Sequence, residues 1–344
     1  MLKSIKLFFV GVFSLLLNTL FSFAQTQVNL HYIKGFAQGT SYNIQYYASS
    51  PFISKSNIDS ILSEIDNSLS LYVPNSLINI FNDRNVISYD KHLKNVFVTS
   101  KNIYRKSEGI FNPSVAPLVK IWGFGPSQPN GRDIQDKQYP KPPINEQLKE
   151  ALNFINFRSV KLQGTYLKKP TNKQQVDFNG IAQGYTVDVV YNYFKSLGVN
   201  SLMIELGGEI RVAGPKPNGD SFIVVIEGPP QYSGKQMVVK MVNGAITSSG
   251  IYQNGRYEDG KWISHIINAK LGIPVQSKII SATVYANEAI LADALDQIFY
   301  TYSVDKAIRM AQRKFKIGLF LFYKDEDGNI QTISNRRFQK ILIN

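Results

Sequence analysis

The chain has 344 residues, no cysteine and a formal net charge of +13. The absence of cysteine excludes a disulfide framework and thiolate chemistry, so stability has to come from a core, and this length can bury one large domain or two interlocked ones. The positive charges are spread along the chain without helix-turn-helix spacing, a zinc-finger pattern or an aromatic RNA-binding signature. We therefore expect no nucleic-acid partner; a basic surface suits an anionic ligand or an anionic membrane face.

The N-terminus has the pattern of a secretory signal peptide, which we assign to residues 1–24. Lys3 and Lys6 precede an apolar run that ends in Ser-Phe-Ala at 22–24, a small-x-small cleavage pattern. Cleavage would leave 344 − 24 = 320 residues, 25–344, with a formal charge of 13 − 2 = +11. No later window has the roughly 20 apolar residues that a membrane-spanning helix needs. The sequence thus predicts an exported protein.

The first half of the remaining chain alternates between strand and helix patterns. Residues 28–48 are strand-like, and Ser56 is placed to cap a helix. The apolar side chains of that helix have helical spacing and are Ile58, Ile61, Leu62, Ile65 and Leu69. Residues 126–145 are rich in proline and polar residues and are typical of a long surface loop, and 184–197 form a second amphipathic helix that Gly198 ends.

The second half is dominated by strand patterns. Strands are predicted at 201–206, 209–214, 221–228 and 278–286, with an Asn-Gly turn at 218–219, and a hairpin of 317–323 with 330–334 closes the chain. Asn287 is placed to cap a helix over residues 290–299. Strands and helices are mixed without strict βαβ alternation. The predicted class is therefore α+β, with mixed, largely antiparallel sheets and packed helices.

Several familiar sites are excluded by the sequence. There is no G-x-x-x-x-G-K-[ST] loop, and the Gly-Phe-Gly at 123–125 lacks the third glycine of a dinucleotide fingerprint because Gln128 stands there. Zinc is disfavoured, since the chain has no cysteine and three histidines. We expect His31 and His92 to be structural or exposed. His265 lies between a predicted strand and a Gly/Pro turn, where reactive groups are often held.

The predicted helix over 290–299 carries three polar groups among apolar ones. Asp293, Asp296 and Gln297 stand at i, i+3 and i+4, so they share one helix face. Most charges on amphipathic helices face water, and a solvated face is the simplest interpretation. The alternative is that the two carboxylates hold a hard cation such as Mg²⁺.

Two glycine-containing segments suggest an anionic ligand. Asp177 is predicted to end a strand, and Gly180 and Gly184 flank a helix start, where free N–H groups favour an anion. Glycines 207–208 permit close approach of a ligand in the same way. An ordinary strand–helix turn and a β-bulge explain these glycines equally well. With the carboxylates and His265, the pattern favours metal-assisted chemistry on a phosphate ester or anhydride.

The chain also resembles a known family, the ApbE-type FAD:protein FMN transferases, from about residue 35 to the C-terminus. The resemblance rests on eight motifs in a fixed order: QGTSYNI, SLYVPNSLINIFN, EGIFNPSVAPLVKIWGFG, VDFNGIAQGYTVD, ELGGEIRVAG, AITSSG, SHIINAKLGIPV and ADALDQ. Each motif alone is weak, but the ordered set is specific. It implies the ApbE-type flavin transferase fold for residues 25–344.

The resemblance implies a function. Such proteins bind FAD with Mg²⁺ in the periplasm and transfer FMN to a Thr or Ser hydroxyl of a partner protein, releasing AMP. The partners are flavin-bearing subunits of inner-membrane redox complexes, such as the sodium-pumping NADH:quinone reductase (Nqr) or Rnf-type complexes. Some members instead hydrolyse FAD to FMN and AMP.

The resemblance also implies roles for particular residues. The implied FAD contacts are Gln38, Tyr72, Ile110, Phe111, Asn112, Asp177, Gln183 and Ile267. The implied metal ligands are the Gly180 carbonyl and the side chains of Asp293, Asp296 and Gln297. His265 matches the family histidine that activates the acceptor hydroxyl.

This chain departs from the family pattern at several of these positions. Gln297 replaces the usual threonine, Asn268 and Ala269 replace Asp-Pro, Asn112 replaces an aspartate, and Gln183 stands where many members have Lys or Glu. One interpretation is a diverged but active transferase, which we favour because the carboxylates and His265 remain. The other is an FAD-binding protein that has lost activity or acts only as an FAD pyrophosphatase. A third, weaker hypothesis is a basic module that docks on an anionic membrane surface.

Overall fold

The computed structural model describes residues 28–126, 143–234 and 236–343. The predicted signal peptide (1–24) and most of the predicted loop at 126–145 lie outside the described residues. Among the residues that are described, no helix combines the length and apolar character needed to cross a membrane.

Helices and strands are mixed along the chain. The α-helices are α1 (Lys55–Leu69), α2 (Leu77–Asp83), α3 (Lys91–Lys106), α4 (Ala116–Ile121), α5 (Asn145–Leu152), α6 (Asn179–Ser196), α7 (Ala289–Asp296), α8 (Val304–Arg309) and α9 (Arg336–Gln339). The shorter helical turns are Pro113–Val115, Phe157–Ser159, Gln297–Thr301 and Met310–Phe315.

The strands follow the same chain order. They are β1 (Asn29–Ala37), β2 (Thr40–Ala48), β3 (Val86–Ser88), β4 (Lys161–Gln163), β5 (Tyr166–Lys168), β6 (Leu202–Leu206), β7 (Glu209–Ala213), β8 (Phe222–Ile226), β9 (Met237–Met241), β10 (Gly244–Gly250), β11 (Gly255–Glu258), β12 (Lys261–Ser264), β13 (Ile267–Asn268), β14 (Ile273–Pro274), β15 (Ile279–Ala286), β16 (Gly318–Lys324), β17 (Ile330–Ser334) and β18 (Leu342–Ile343).

An eight-stranded sheet forms the centre of the molecule. Its strand order is β1-β2-β6-β7-β10-β15-β16-β17, and every neighbouring pair is antiparallel. The predicted α+β class with largely antiparallel sheets is confirmed. The predicted C-terminal hairpin is β16–β17, but it does not end the chain, because α9 and β18 follow it.

The central sheet separates two apolar layers. Successive side chains of a strand point to opposite faces. Accordingly, Leu319 and Leu321 of β16 pack in the layer that contains α6 and α7, whereas Phe320 and Phe322 pack against the small sheet β18-β9-β8. Each such side chain contributes about 1.5–3 kcal/mol by its burial. The helix-covered face is the one on which the candidate site lies.

The first helix begins two residues earlier than predicted. Its N-cap is Ser54 rather than Ser56, and Ser54 and Asn57 form a capping box with each other. Ser54 is the better cap because its backbone is extended while its side chain accepts from the Asn57 N–H. The predicted apolar face is present, with Ile58, Ile65 and their neighbours buried.

The second predicted helix is α6, and it begins at Asn179 instead of residue 184. Asp177 lies in an irregular segment just before it, so the prediction that Asp177 ends a strand is wrong. The helix is also not simply amphipathic, since it is buried on several sides between the sheet and its neighbours. Apolar periodicity therefore gave no signal for its first turn.

The N-terminus of α7 is capped from a distance. Asn287 is not the cap, and Glu288 at the N-cap position makes no side-chain bond there. Instead, the two carboxylate oxygens of Asp188 in α6 accept from the N–H groups of Ala289 and Ile290, each at 2.9 Å. A carboxylate at a helix N-terminus also interacts favourably with the helix dipole.

His31 and His92 have structural positions, as expected. His31 Nε2 lies 3.2 Å from the Ala48 carbonyl across the β1–β2 pair. His92 is buried, with Nδ1 2.9 Å from the Tyr185 hydroxyl. His31 is half-buried and His92 is buried, so neither is a freely exposed surface group.

Candidate active site

The site begins where α6 and α7 touch. A Cβ atom on Gly184 would lie 2.4 Å from the Ala289 carbonyl oxygen and 2.7 Å from Asp293 Cβ, so only glycine permits this approach. At this contact the Gly184 N–H donates to Asp293 Oδ2 at 2.8 Å. The close packing therefore brings a backbone donor of one helix directly to a carboxylate of the other.

The first turn of α6 departs from helical geometry at Gly180, which has φ −82° and ψ 22°. In a regular helix, the Gly184 N–H would bond the Gly180 carbonyl four residues earlier. Its bond to Asp293 competes with that helical bond. The Gly180 carbonyl is thus a natural candidate to accept or coordinate another group.

The two aspartates of α7 are buried rather than solvated. Asp293 is 4% exposed and Asp296 is 2% exposed, so the interpretation of a solvated helix face is wrong. Asp296 Oδ2 accepts from the Thr247 hydroxyl of β10 at 3.0 Å, while its Oδ1 is buried with no partner. Buried carboxylate oxygens normally have partners, and an orphaned one indicates a missing group.

Burial also changes the acidity of both groups. It raises the pKa of Asp293 to about 7, and it raises the pKa of Asp296 well above its ordinary value, with the charge of Asp293 adding to the effect. A nearby cation would reverse this by favouring the ionised carboxylates. Both carboxyl groups therefore lack the positive partner that a buried ionised pair requires.

Gln297 completes the group implied as metal ligands. A Cβ on Gly180 would lie 2.7 Å from Gln297 Nε2 and 2.9 Å from Gln297 Oε1, so this amide rests against the Gly180 backbone. The structure thus brings together Gly180, Asp293, Asp296 and Gln297 at the α6–α7 contact.

These residues fit a hard divalent cation. Their donors are oxygens, which Mg²⁺ prefers, and one of those oxygens is buried without a partner. Within 28–126, 143–234 and 236–343, no three His, Cys, Asp or Glu side chains form a ready-made metal set. The site instead combines two carboxylates with a carbonyl and an amide, and Mg²⁺ often keeps waters in its remaining positions.

A third carboxylate, Glu209, was missed by the sequence analysis. It begins β7, is 8% exposed, and its Oε2 is buried without a partner. Burial raises its pKa well above the ordinary value, and the charges of Asp293 and Asp296 raise it further. The sequence feature that could have identified Glu209 is its position directly after glycines 207–208, at the start of a half-buried strand.

His265 is held in a defined orientation between β12 and β13. Its Nδ1 donates to the Asn254 carbonyl at 2.7 Å, and its backbone N–H donates to the same oxygen at 3.1 Å. Because a carbonyl oxygen only accepts, Nδ1 carries the proton and Nε2 is the acceptor nitrogen of the neutral ring. Burial lowers the pKa of His265, which keeps Nε2 unprotonated near neutral pH.

The hairpin after His265 is shaped by Asn268. Ile267 pairs with Pro274, and Asn268 Oδ1 accepts from the N–H groups of Lys270 and Leu271 at 3.0 and 3.2 Å. Asn268 therefore has a local turn role that its amide oxygen supplies. Ile267 is half-buried at the base of the hairpin.

Asp177 and Tyr72 lie near each other at the entry to α6. Asp177 Oδ1 accepts from the Asn179 N–H at 2.7 Å, and burial raises the Asp177 pKa to about 6. Burial raises the pKa of Tyr72, and the charge of Asp177 raises it further. Tyr72 is nevertheless 56% exposed, so its ring has surface free for a planar ligand.

Residues 110–112 mainly make contacts within the protein, next to the start of α6. Phe111 is buried in the core, with Ile110 packed beside it, so Phe111 offers little free surface for stacking. Asn112 caps the turn Pro113–Val115 by accepting from the Ser114 N–H at 3.1 Å and hydroxyl at 2.7 Å. The Asp177 N–H donates to the Pro113 carbonyl at 2.7 Å, which ties this turn to the start of α6.

Gln38 of the β1–β2 turn and Gln183 of α6 are the two glutamines among the implied FAD contacts. Gln38 has φ +51° in the β1–β2 turn, and its Nε2 donates to Asp66 Oδ1 at 3.1 Å and to the Thr186 hydroxyl at 3.0 Å. Gln183 Nε2 lies 3.4 Å from where a Cβ on Gly207 would stand. Gln183 thus faces the glycine turn that precedes Glu209.

A cavity of about 780 Å³ lies beside the site. Its walls are the β13–β14 hairpin, the turn Gln297–Thr301 and the β16–β17 hairpin. The lining includes Asn268 and Tyr300 but none of the three buried carboxylates. The cavity is therefore separate from the three carboxylates.

Comparison with known proteins decides the family. The sequence model of the ApbE family matches residues 38–321. The chain belongs to the ApbE family. Among curated ApbE relatives, the FAD:protein FMN transferase of Haemophilus influenzae is 27% identical over 332 residues, covering 92% of this chain and 93% of that protein. That of Vibrio cholerae is 29% identical over 307 residues, covering 86% and 88%.

Solved ApbE structures share the fold. The flavin transferase ApbE from Vibrio cholerae superposes with a TM-score of 0.79 at 27% identity, covering 92% of this chain and all (100%) of that one. The apo form of Pseudomonas stutzeri flavinyl transferase ApbE gives a TM-score of 0.81 at 27% identity, covering 92% and 97%. The resemblance to this family and the expected ApbE-type fold are confirmed.

Proposed function

We propose that this protein is an exported, Mg²⁺-dependent FAD:protein FMN transferase. It moves FMN from FAD onto a Thr or Ser hydroxyl of a partner protein and releases AMP. The observation that carries this proposal is the buried pair Asp293–Asp296, with its orphaned oxygen, at the contact of α7 with Gly184 of α6 in a chain of the ApbE family. Relatives named FAD:protein FMN transferase support the reaction class.

The cation would be held by the Gly180 carbonyl and the side chains of Asp293, Asp296 and Gln297. When bound, Mg²⁺ would offset the negative charge of the FAD pyrophosphate and of the AMP leaving group. The protein restrains the two aspartates that would hold the cation. Thr247 fixes one oxygen of Asp296 and the Gly184 N–H fixes one oxygen of Asp293, so each aspartate is restrained before any cation arrives.

His265 is the general base of the proposal. Nε2 takes the proton of the acceptor hydroxyl while that oxygen bonds to the FMN phosphorus and the bond from this phosphorus to the AMP oxygen breaks. The Nδ1–H bond to Asn254 holds the ring in the tautomer that leaves Nε2 free. A positioned base of this kind typically contributes about 10²–10⁴-fold in rate.

FAD would be bound by the surroundings of the α6 N-terminus. The first N–H groups of α6 favour a phosphate, and Tyr72 presents an exposed ring beside Asp177. Gln38, Gln183, Ile267 and the segment 110–112 remain the other proposed FAD contacts. Of these, Phe111 and Gln38 contribute mainly by supporting the surface, since both are committed to contacts within the protein.

The proposal extends to location and partner. Residues 1–24 have a signal-peptide pattern, which supports export to the periplasm. The acceptors would be flavoprotein subunits of inner-membrane redox complexes of the Nqr or Rnf type, and nucleic acid is not a proposed partner. A protein with this basic surface would work close to the anionic membrane face.

A second candidate function is FAD binding with hydrolysis alone or with no turnover. It is favoured by Gln297, whose amide lies against Gly180 where a shorter side chain would leave space. In the hydrolytic case, water takes the place of the acceptor hydroxyl, and the products are FMN and AMP.

One experiment separates these functions. The purified protein is incubated with FAD, millimolar Mg²⁺ and an acceptor domain, and both AMP release and acceptor mass are measured. Transfer predicts AMP together with an added FMN mass on the acceptor. AMP without added mass indicates hydrolysis, and bound FAD with neither product overturns the enzymatic proposal.

A further inference from the structure

Glu209 is a buried charged residue that the reaction as proposed does not use. It opens β7 directly after Gly207 and Gly208, which turn the chain with φ +62° and +106°. Its register partner on β6 is Leu206, a residue of the core layer that includes Val187 of α6. Glu209 therefore enters the helix-covered face of the sheet, the same side as the candidate site.

The surroundings leave Glu209 without a counter-charge. Its Oε2 is buried with no partner, and no ion pair to it is formed among the described residues. It lies 3.4 Å from where a Cβ on Gly207 would stand, on the side that Gln183 also faces. The charges of Asp293 and Asp296, which have the same sign, add to the effect of burial in raising its pKa.

Asp188 is a buried carboxylate that this fold does provide with partners. Asp188 is equally buried, but it pairs with Arg211 at 2.5 Å and accepts two N–H groups of α7. Glu209 and Asp296 have no comparable partner for one oxygen each. A buried carboxylate oxygen without a partner is costly, so the orphaned oxygens of Glu209 and Asp296 indicate a group that is supplied from outside.

We propose that Glu209 is an outer carboxylate of the cation site, acting from the sheet while Asp293 and Asp296 act from α7. This inference rests on the proposed function. The three carboxylates do not form a ready-made ligand set, so Glu209 acts through water rather than by direct ligation. Mg²⁺ usually keeps several waters, and each water has hydrogens that need acceptors. Glu209 Oε2 is such an acceptor.

The test is cation binding without FAD. Mn²⁺ serves as the spectroscopic probe for Mg²⁺, and its dissociation constant is measured by electron paramagnetic resonance for the wild type and for Glu209→Gln. Loss of an outer-sphere carboxylate typically weakens metal binding about 10–100-fold, and we expect at least tenfold here. Glu209→Asp, which keeps the charge on a shorter side chain, should recover part of the affinity.

Glu205→Gln is the matched control. Glu205 lies four residues earlier, on the opposite pleat of β6, and its Oε1 accepts from the Gly208 N–H at 3.0 Å, a bond that glutamine preserves. It removes the same net charge from the same turn. Because a partly exposed charge acts weakly at a distance, its effect on the Mn²⁺ dissociation constant should stay within about twofold.

Asp293→Asn separates failure of this inference from failure of the proposed site. If Asp293→Asn abolishes Mn²⁺ binding but Glu209→Gln binds as the wild type does, the role of Glu209 is overturned and the site stands. If Asp293→Asn binds normally, the site itself is wrong. In chelator, Glu209→Gln should melt at or above the wild-type temperature, since it removes a buried carboxyl group whose Oε2 has no partner; a lower melting temperature would show a structural role instead.

Discussion

Asp293, Asp296 and Gln297 differ in what already occupies their side chains. Asp293 accepts from Gly184, Asp296 accepts from Thr247 with one oxygen, and Gln297 lies against Gly180. Of these three side chains, that of Gln297 is therefore the one that no hydrogen bond within the described residues restrains. Its chemical type should matter more than its size.

Substitution of Gln297 tests this point. Gln297→Leu removes the oxygen at similar volume, whereas Gln297→Thr keeps an oxygen on a shorter side chain. We expect Gln297→Leu to raise the Mg²⁺ concentration for half-maximal AMP release by about tenfold or more, and Gln297→Thr to change it much less. The measurement is an Mg²⁺ titration at saturating FAD. Equal titration curves for the two variants would exclude a ligand role for residue 297.

His265→Ala should remove the base and leave the cation site intact. AMP release in the presence of acceptor should fall by about 10²–10⁴-fold, because the acceptor hydroxyl loses its proton acceptor. Mn²⁺ affinity should be unchanged. His31→Gln is the control, since His31 bonds the Ala48 carbonyl in the β1–β2 pair and should retain full activity. An unaffected rate for His265→Ala would assign the proton transfer to another group.

At the scale of elements, the contact of α6 with α7 determines the site. Gly184 lets the two helices approach, Asp188 of α6 caps α7, and Gly180 bends the first turn of α6 toward Gln297. One helix thus supplies the backbone groups and the other supplies the carboxylates. Separating the helices should disrupt both sets together.

Gly184→Ala should separate them. The added Cβ would meet the Ala289 carbonyl at 2.4 Å, a backbone atom that cannot move independently of α7. We expect a loss of about 1–3 kcal/mol in the free energy of unfolding, the usual range for overpacking, measured by urea denaturation, together with weaker Mn²⁺ binding. Gly125→Ala is the control, because its Cβ would meet nothing closer than 3.8 Å. Equal stability of the two variants would contradict the tight contact.

The limits of sequence-based prediction also appear at this scale. The ordered motifs and the helical spacing of Asp293, Asp296 and Gln297 are local patterns, so they could be found without a structure. The cap of α7 could not, since Asp188 lies 101 residues before the N–H group of Ala289 that it accepts from. Glu209 was missed because its lack of a partner depends on which side chains the fold brings near it. The early start of α6 was missed because burial on several sides hides helical periodicity.

At the scale of the whole molecule, a basic chain encloses an acidic centre. The formal net charge is +13, yet Asp293, Asp296 and Glu209 are gathered in the interior. Burial raises the pKa of all three, so the folded protein holds protons on them that the unfolded chain releases. By linkage, this part of the stability is present at low pH and is lost as the pH rises toward the folded pKa values.

The pH dependence of Asp293→Asn checks this sign. The pKa of Asp293 rises from 3.8 to about 7, so in chelator the wild type should lose stability relative to Asp293→Asn as the pH rises from about 4 to 7. The measurement is the difference in melting temperature between the two proteins. Burial lowers the pKa of His92 and of His265 in both proteins, so their contribution to the pH dependence, which has the opposite sign, cancels in this difference. Added Mg²⁺ should stabilise only the wild type. A pH-independent difference would contradict the raised pKa.

The long-range cap of α7 has a consequence for folding order. An isolated eight-residue helix is marginal in water, and α7 has no local cap to strengthen it. Its N-terminus becomes satisfied only when Asp188 has been brought across from α6, and Arg211 of β7 pairs with the same carboxylate. We therefore expect the acidic residues to reach their final spacing after the sheet and α6 have assembled. Divalent cations are then expected to act on a site that folding has already built, and not to nucleate folding.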